Sequence, residues 1–118
     1  MGDFRRLKVW QRAKDLSLLV YELTAKGKLA KDFGLKDQLR RAAVSIPSNI
    51  AEGDELYTNN QSIRHFYISK GSLAEVLTQA IIAKEIGYIE KAQFDQIESE
   101  CCAISSMLTR LIQARKGQ

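Results

Sequence analysis

The amino-acid sequence predicts an all-α fold, an antiparallel up-down four-helix bundle. Two observations carry that prediction. With one proline and seven glycines in 118 residues, turn chemistry is scarce and long helices are favoured. Apolar residues then recur at spacings of three and four along four separate stretches, the period of a helix with one buried face. Short segments between such stretches make consecutive helices antiparallel neighbours. At 45% apolar and 27% charged residues, the composition is that of a globular domain able to build its own core, and residues 1–118 read as one domain.

The first helix is expected from about Leu7 to Ala25, with Val9, Ala13, Leu16, Val20 and Leu23 as its stripe and Leu19 widening it. Lys26, Gly27 and Lys28 suit its C-terminus, where cations meet the negative end of the helix dipole. LAKDFGL reads as a loop. The second helix starts near Leu35, with a stripe of Leu39, Ala42 or Ala43, Ile46 and Ile50, and stops around Gly53 to Leu56. Thr58 and Gln61 read as a capping box for the third helix. That helix carries Ile63, Phe66, Tyr67, Leu73, Ala74, Leu77 and Ile81 and ends at Gly87. The fourth, from about Glu90 to Ala114, has the cleanest seam: Phe94, Ile97, Cys101, Ile104, Leu108 and Leu111 alternate steps of three and four.

Leu39 to Gly53, LRRAAVSIPSNIAEG, departs from this regularity. It holds Pro47 inside a helical pattern and sets Arg41, Ser45, Asn49 and Glu52 along one side. Proline removes an N–H and leaves the carbonyl of Ala43 without its helical donor, a cost of about 3 kcal/mol in a plain helix. Ser48, Asn49 or a side chain from a neighbouring helix is expected to satisfy that carbonyl. Folding the second and third helices back about residue 58 sets Glu52 level with Arg64, Arg41 with Glu75, and Ser45 with Gly71 and Ser72. The expectation is a polar network of Arg41, Ser45, Asn49, Glu52, Arg64 and Glu75, with a close approach of the two backbones at Gly71.

Charge is unevenly distributed. Residues 1–41 hold 11 basic and 5 acidic side chains, whereas residues 42–100 hold 4 and 9. The remainder adds Arg110, Arg115 and Lys116 and no acid. In an up-down bundle, Arg5, Arg6, Lys8, Arg12, Arg110, Arg115 and Lys116 gather at one end, and Lys26, Lys28, Lys31, Lys36 and Arg40 at the other. Such clusters are what phosphate contacts require, so RNA or DNA is the candidate ligand for these twelve residues. With no base-reading motif, binding would be led by shape and charge.

Other classes find little support. No apolar run is long enough to span a membrane, and MGDFRRLKVWQ has no signal-peptide or myristoylation pattern. Adjacent Cys101 and Cys102 are expected as reduced thiols of a cytoplasmic protein, with Cys101 in the core. They lack zinc-ligand spacing, and His65, the one histidine, cannot build a di-iron site; an exposed place on a helix face is expected for it. No catalytic residue, metal or cofactor is assigned. Trp10, Tyr21, Tyr67 and Tyr88 fit core or subunit-interface roles better than base stacking.

LKVWQRA and VYELT near the start, FGLKDQLRRAAVSIPSNIAEG in the middle, then ISKGSLAE and IGY, resemble the small four-helix-bundle family encoded within intervening sequences of bacterial 23S ribosomal RNA genes. The match spans nearly the whole chain, and QLRRAAVSIPSNIAEG is its most specific part. The resemblance implies a bundle assembled into a closed ring, typically a homopentamer. It also implies kinship with accessory proteins of diversity-generating retroelements, basic bundle rings that bind nucleic acid and a reverse transcriptase. It transfers no catalytic residue. Asp54 and Glu55, directly after Gly53, are a departure that would weaken anion binding there.

Overall fold

The computed structural model describes residues 3–56 and 58–117; the reading of Met1 and Gly2 lies outside them. A 3-10 turn at Phe4–Arg6 precedes α1 (Lys8–Thr24), α2 (Gly27–Lys31), α3 (Phe33–Glu55), α4 (Asn59–Glu85) and α5 (Lys91–Lys116). Among the described residues there is no strand. The four long helices form a bundle 46 Å long and 20 Å across, in which α1 packs on α3 and α5, and α4 on α3 and α5.

The expected loop LAKDFGL is instead helical over most of its length. Gly27 adopts φ +62°, a left-handed turn that suits glycine, and redirects the chain out of α1. The single turn of α2 then drives Leu29 into the core at 1% exposure. Asp32 caps α3, accepting from the Leu35 amide at 3.1 Å. At the other end of the third expected helix, Gly87 at φ +84° closes α4, with the Tyr88 amide reaching the Ala83 carbonyl at 2.8 Å. Thr58 does accept from the Gln61 amide, at 3.3 Å, while a reciprocal capping box forms at Glu90 and Gln93.

The core follows the expected stripes on α1, α3 and α5. Val9, Ala13, Leu16 and Val20 meet Leu39, Ala42, Ala43, Ile46 and Ile50, and Phe94, Ile97, Cys101, Ile104 and Leu108 close the far side. The seam of α5 finishes on Ile112, with Leu111 half-buried. On α4 the expected stripe mixes two faces. Phe66, Leu73, Val76, Ala80 and Ala83 are buried, whereas Tyr67, Ala74 and Ile81 point outward.

Gly71 is also outward, and a Cβ there would meet nothing within 4 Å. The close approach of α3 and α4 lies at Gly53, where a Cβ would sit 2.6 Å from Phe66 Cε1. The expectation at Gly71 is thus corrected. Helical phase turns Gly71 away from α3, and the large Phe66 ring demands the missing side chain at Gly53.

Candidate functional site: a polar seam and two basic ends

Pro47 lies buried within an unbroken α3. The Ala43 carbonyl that it orphans accepts a hydrogen bond from Ser17 Oγ of α1 at 2.9 Å. Three residues on, the Ile46 carbonyl accepts from Ser69 Oγ of α4 at 2.9 Å, and the Gly53 carbonyl accepts from Ser62 Oγ at 2.6 Å. Buried serines on both neighbouring helices therefore bond to the backbone of α3, and the donor for the Ala43 carbonyl comes from a neighbouring helix.

The polar side of α3 is only partly the expected network. Ser45 and Ser72 hydroxyls are 2.9 Å apart, as their common level implies. Asn49 Nδ2 donates to the Ser45 carbonyl at 2.9 Å, and Asn49 Oδ1 lies 2.9 Å from His65 Nδ1. That ring nitrogen is also 3.2 Å from Glu52 Oε2. His65 is therefore half-buried and engaged, not an exposed helix-face residue, and it takes the place expected for Arg64. One residue of helical phase separates them: His65 turns toward α3 and Arg64 turns to solvent. Arg41 pairs with Asp37 at 2.8 Å, one turn away, so no bond to Glu75 forms within the chain. Arg41, Gln38, Ser45, Ser72, Glu75 and Gln79 line a groove of about 270 Å³ between α3 and α4. His65 Nδ1 is thus placed between the Asn49 amide oxygen and the Glu52 carboxylate.

The basic ends are brought together unequally. Near the start of α1, Arg5 forms a bidentate pair with Asp3, at 2.9 and 2.8 Å. This pairing holds the Asp3 carboxyl below its usual range. Arg12 bridges to Glu100 on α5 at 2.9 Å. Arg115 donates to the buried Asp54 at 3.1 Å and lies over the Phe66 ring. Lys116 contacts the Tyr67 hydroxyl at 3.2 Å. Arg6, Lys8 and Arg110 stay exposed, with no ion pair among the described residues.

At the opposite end, Arg40 is committed to the fold, donating to Thr24 Oγ1 at 2.7 Å and covering the Tyr21 ring. Lys26, Lys28 and Lys31 are exposed and make no ion pair among the described residues. Phe33 stands beside Lys28 and Lys31 at 73% exposure, with Lys36 Nζ 4.8 Å from its ring centre. Lys28, Lys31, Asp32, Phe33 and Tyr88 surround a shallow depression of about 500 Å³. Asp32 is occupied as the cap of α3 and by the Tyr88 hydroxyl at 3.1 Å, a bond that, with burial, raises the Tyr88 pKa. Sequence reading missed Phe33 because it placed that residue in a loop. Its position at the head of α3, next to a run of lysines, was the available signal.

The remaining features are structural. Cys101 is buried and its thiol is pushed up to about 12, chiefly by desolvation, while Cys102 is exposed. Among the described residues no group of side chains is arranged to hold a metal ion, and no helix is long and apolar enough to cross a membrane. Trp10 is half-buried against Phe4, with ring centres 5.2 Å apart.

A helical bundle with a polar seam along α3 and basic ends defines a class of small all-α bundle proteins. Within it, the chain belongs to the 23S rRNA-intervening sequence protein family, whose model matches residues 5–110. Its fold is similar to the crystal structure of a protein of unknown function from the S23 ribosomal protein family of Bacteroides thetaiotaomicron. The two are 20% identical, with a TM-score of 0.81 over 88% of this chain and 97% of that one. No curated protein matches the sequence.

Proposed function

We propose that this protein is a non-enzymatic scaffold that assembles as a ring of identical copies, five in the family pattern, and attaches to RNA or DNA by charge. The observation that supports the reading best is the α2 end. Phe33 is exposed to 73% beside Lys28, Lys31 and Lys36, and the adjacent acid, Asp32, is spent on capping. Phosphates attract such lysines through counterion release, and an exposed aromatic ring offers a stacking face to an unpaired base. Arg6, Lys8 and Arg110 supply a secondary contact at the other end. Arg5, Arg12, Arg40 and Arg115 are tied into the fold and contribute little to it. Repeating one weak patch around a ring raises avidity without new contacts. A protein partner such as a reverse transcriptase, suggested by kinship with retroelement accessory proteins, would join through the same assembly.

Titration of labelled single-stranded RNA and DNA at several salt concentrations tests this. The expected result is binding near about 1–100 μM that weakens steeply with salt. Replacing Lys28 and Lys31 with alanine should flatten the salt slope by roughly one to two, while Phe33→Ala should weaken binding with the slope retained. No binding at low salt would refute the nucleic-acid role and leave a purely structural or protein-interaction assembly.

A further inference from the structure

The outward face of α4 is the anomaly of this molecule. Tyr67, Ile68, Gly71, Ala74, Thr78, Ile81 and Ile82 run along the side turned away from the core, with exposures of 36–49% at the four large residues. From Tyr67 to Ile82, Glu75 is the one outward charge, since Lys70 is half-buried and bonded to Thr109. A helix apolar on both sides is characteristic of one covered on both sides. The outward faces of α3 and α1 are mixed, setting Asp37, Arg41, Glu52 and Asp15 among the exposed Leu18, Tyr21, Phe33 and Val44.

We infer that this α4 face seats on a second copy of the chain, in the groove between its α1 and α3, each copy using both surfaces. The inference rests on the ring reading above and names its interface. The groove, about 600 Å³, is lined by Tyr21, Asp37, Arg40, Arg41, Val44 and Ser45, and exposes the apolar side chains of Tyr21 and Val44.

Charge complementarity selects this occupant. Within the chain, Ser45 meets Ser72 and Gln38 meets Gln79, so levels on α3 and α4 are known; Arg41 is level with Glu75 and Glu52 with Arg64. Neither Glu75 nor Arg64 has an ionic partner within the described chain. Rotation about an axis parallel to the bundle leaves every residue at its own height. The Glu75 of one copy therefore arrives level with Arg41 of the next, and Arg64 with Glu52. Val44 arrives level with the small Gly71 and Ala74, where two helices can approach closely.

A two-fold pairing of α4 with another α4 fits less well. Centred on Gly71 and Ala74, it would set Glu75 level with Lys70, which is half-buried and already bonded to Thr109, so the acid meets no free cation. The head-to-tail contact also closes. Adjacent corners of a four-helix bundle face about 90° apart, and moving toward the groove widens this to at most about 135°, which closes after about four to eight copies.

Light scattering and sedimentation velocity on the full chain test the assignment, with circular dichroism as the folding control. Wild type should sediment as a closed oligomer of more than two copies. Ala74→Glu and Thr78→Lys, both at exposed positions, should remain folded but raise the dissociation constant at least about tenfold. Arg41→Glu and Glu75→Arg should each weaken assembly, and the double variant should recover it. A wild-type monomer would overturn the ring reading and this inference together. A ring that survives the α4 variants would overturn the interface alone, and a species that stops at two copies would overturn the head-to-tail arrangement.

Discussion

Ser17 and Pro47 should behave as one energetic unit, although they belong to different helices. Ser17 Oγ is 2.9 Å from the Ala43 carbonyl and has a longer alternative, 3.2 Å, at the Ala13 carbonyl on its own helix. With Pro47 in place, Ser17→Ala leaves a buried carbonyl without its donor, a penalty of about 1–3 kcal/mol. The better helix propensity of alanine returns about 0.5 kcal/mol, for an expected loss of about 0.5–2.5 kcal/mol. In a Pro47→Ala background, the new N–H at position 47 supplies the missing helical bond. The same Ser17→Ala change should then cost close to nothing. The coupling expected is about 0.5–2.5 kcal/mol, the difference between the two costs, against the 0.3–0.5 kcal/mol within which independent sites add. Urea unfolding of the four proteins, at one fixed protomer concentration because assembly shifts apparent stability, gives the cycle. Additive free energies would show that the serine is not serving the proline's orphan carbonyl.

Other outcomes follow from the packing. Gly53→Ala gains about 1 kcal/mol of helix propensity but places a methyl 2.6 Å from Phe66 Cε1, so overpacking of about 2–3 kcal/mol, the upper part of the usual range for so close an approach, should win by about 1–2 kcal/mol; Gly34→Ala, with nothing nearer than 3.8 Å, should be neutral or stabilising. Equal stability of Gly53→Ala and wild type in denaturant titration would contradict the close approach. Arg115→Leu strands the buried Asp54 carboxylate and should cost about 3 kcal/mol, partly recovered by adding Asp54→Asn, as read from melting temperature. At pH 8, a thiol reagent should label Cys102 of the native protein and spare Cys101, which titrates only near 12; full labelling before unfolding would refute its burial. The raised pKa also implies that stability declines as pH climbs from about 9, where an unfolded thiol ionises, toward 12, and Cys101→Ala should flatten that decline.

The helices and most of the core were legible because α1, α3 and α5 each bury one regular stripe. α4 was legible as a helix but not in orientation. Its apolar residues surround it, so Tyr67, Ala74 and Ile81 satisfied the same spacing as Phe66 and Leu73. The polar partners show the limit of reasoning by level alone. Height correctly paired Ser45 with Ser72, but phase decides which of two adjacent residues turns inward, and His65 displaced Arg64 beside Glu52. The expected gathering of cations treated every basic residue as available. Which of them meet a carboxylate depends on contacts between distant segments, such as Arg12 with Glu100, and spacing along the chain does not reveal these.

The serine bonds to the α3 backbone bear on how the molecule opens. Hydroxyls from α1 and α4 grip carbonyls of α3 at Ala43, Ile46 and Gly53, so neither neighbour can slip along α3 without stranding a buried acceptor. α5 is held differently, by its apolar seam and by side-chain contacts such as Arg12 with Glu100 and Lys70 with Thr109. The buried Arg115–Asp54 pair adds one charged tie from α5 to α3. Register among α1, α3 and α4 is thus set by uncharged hydrogen bonds that pH does not touch, whereas the tie of α5 to α3 is lost when acid protonates Asp54.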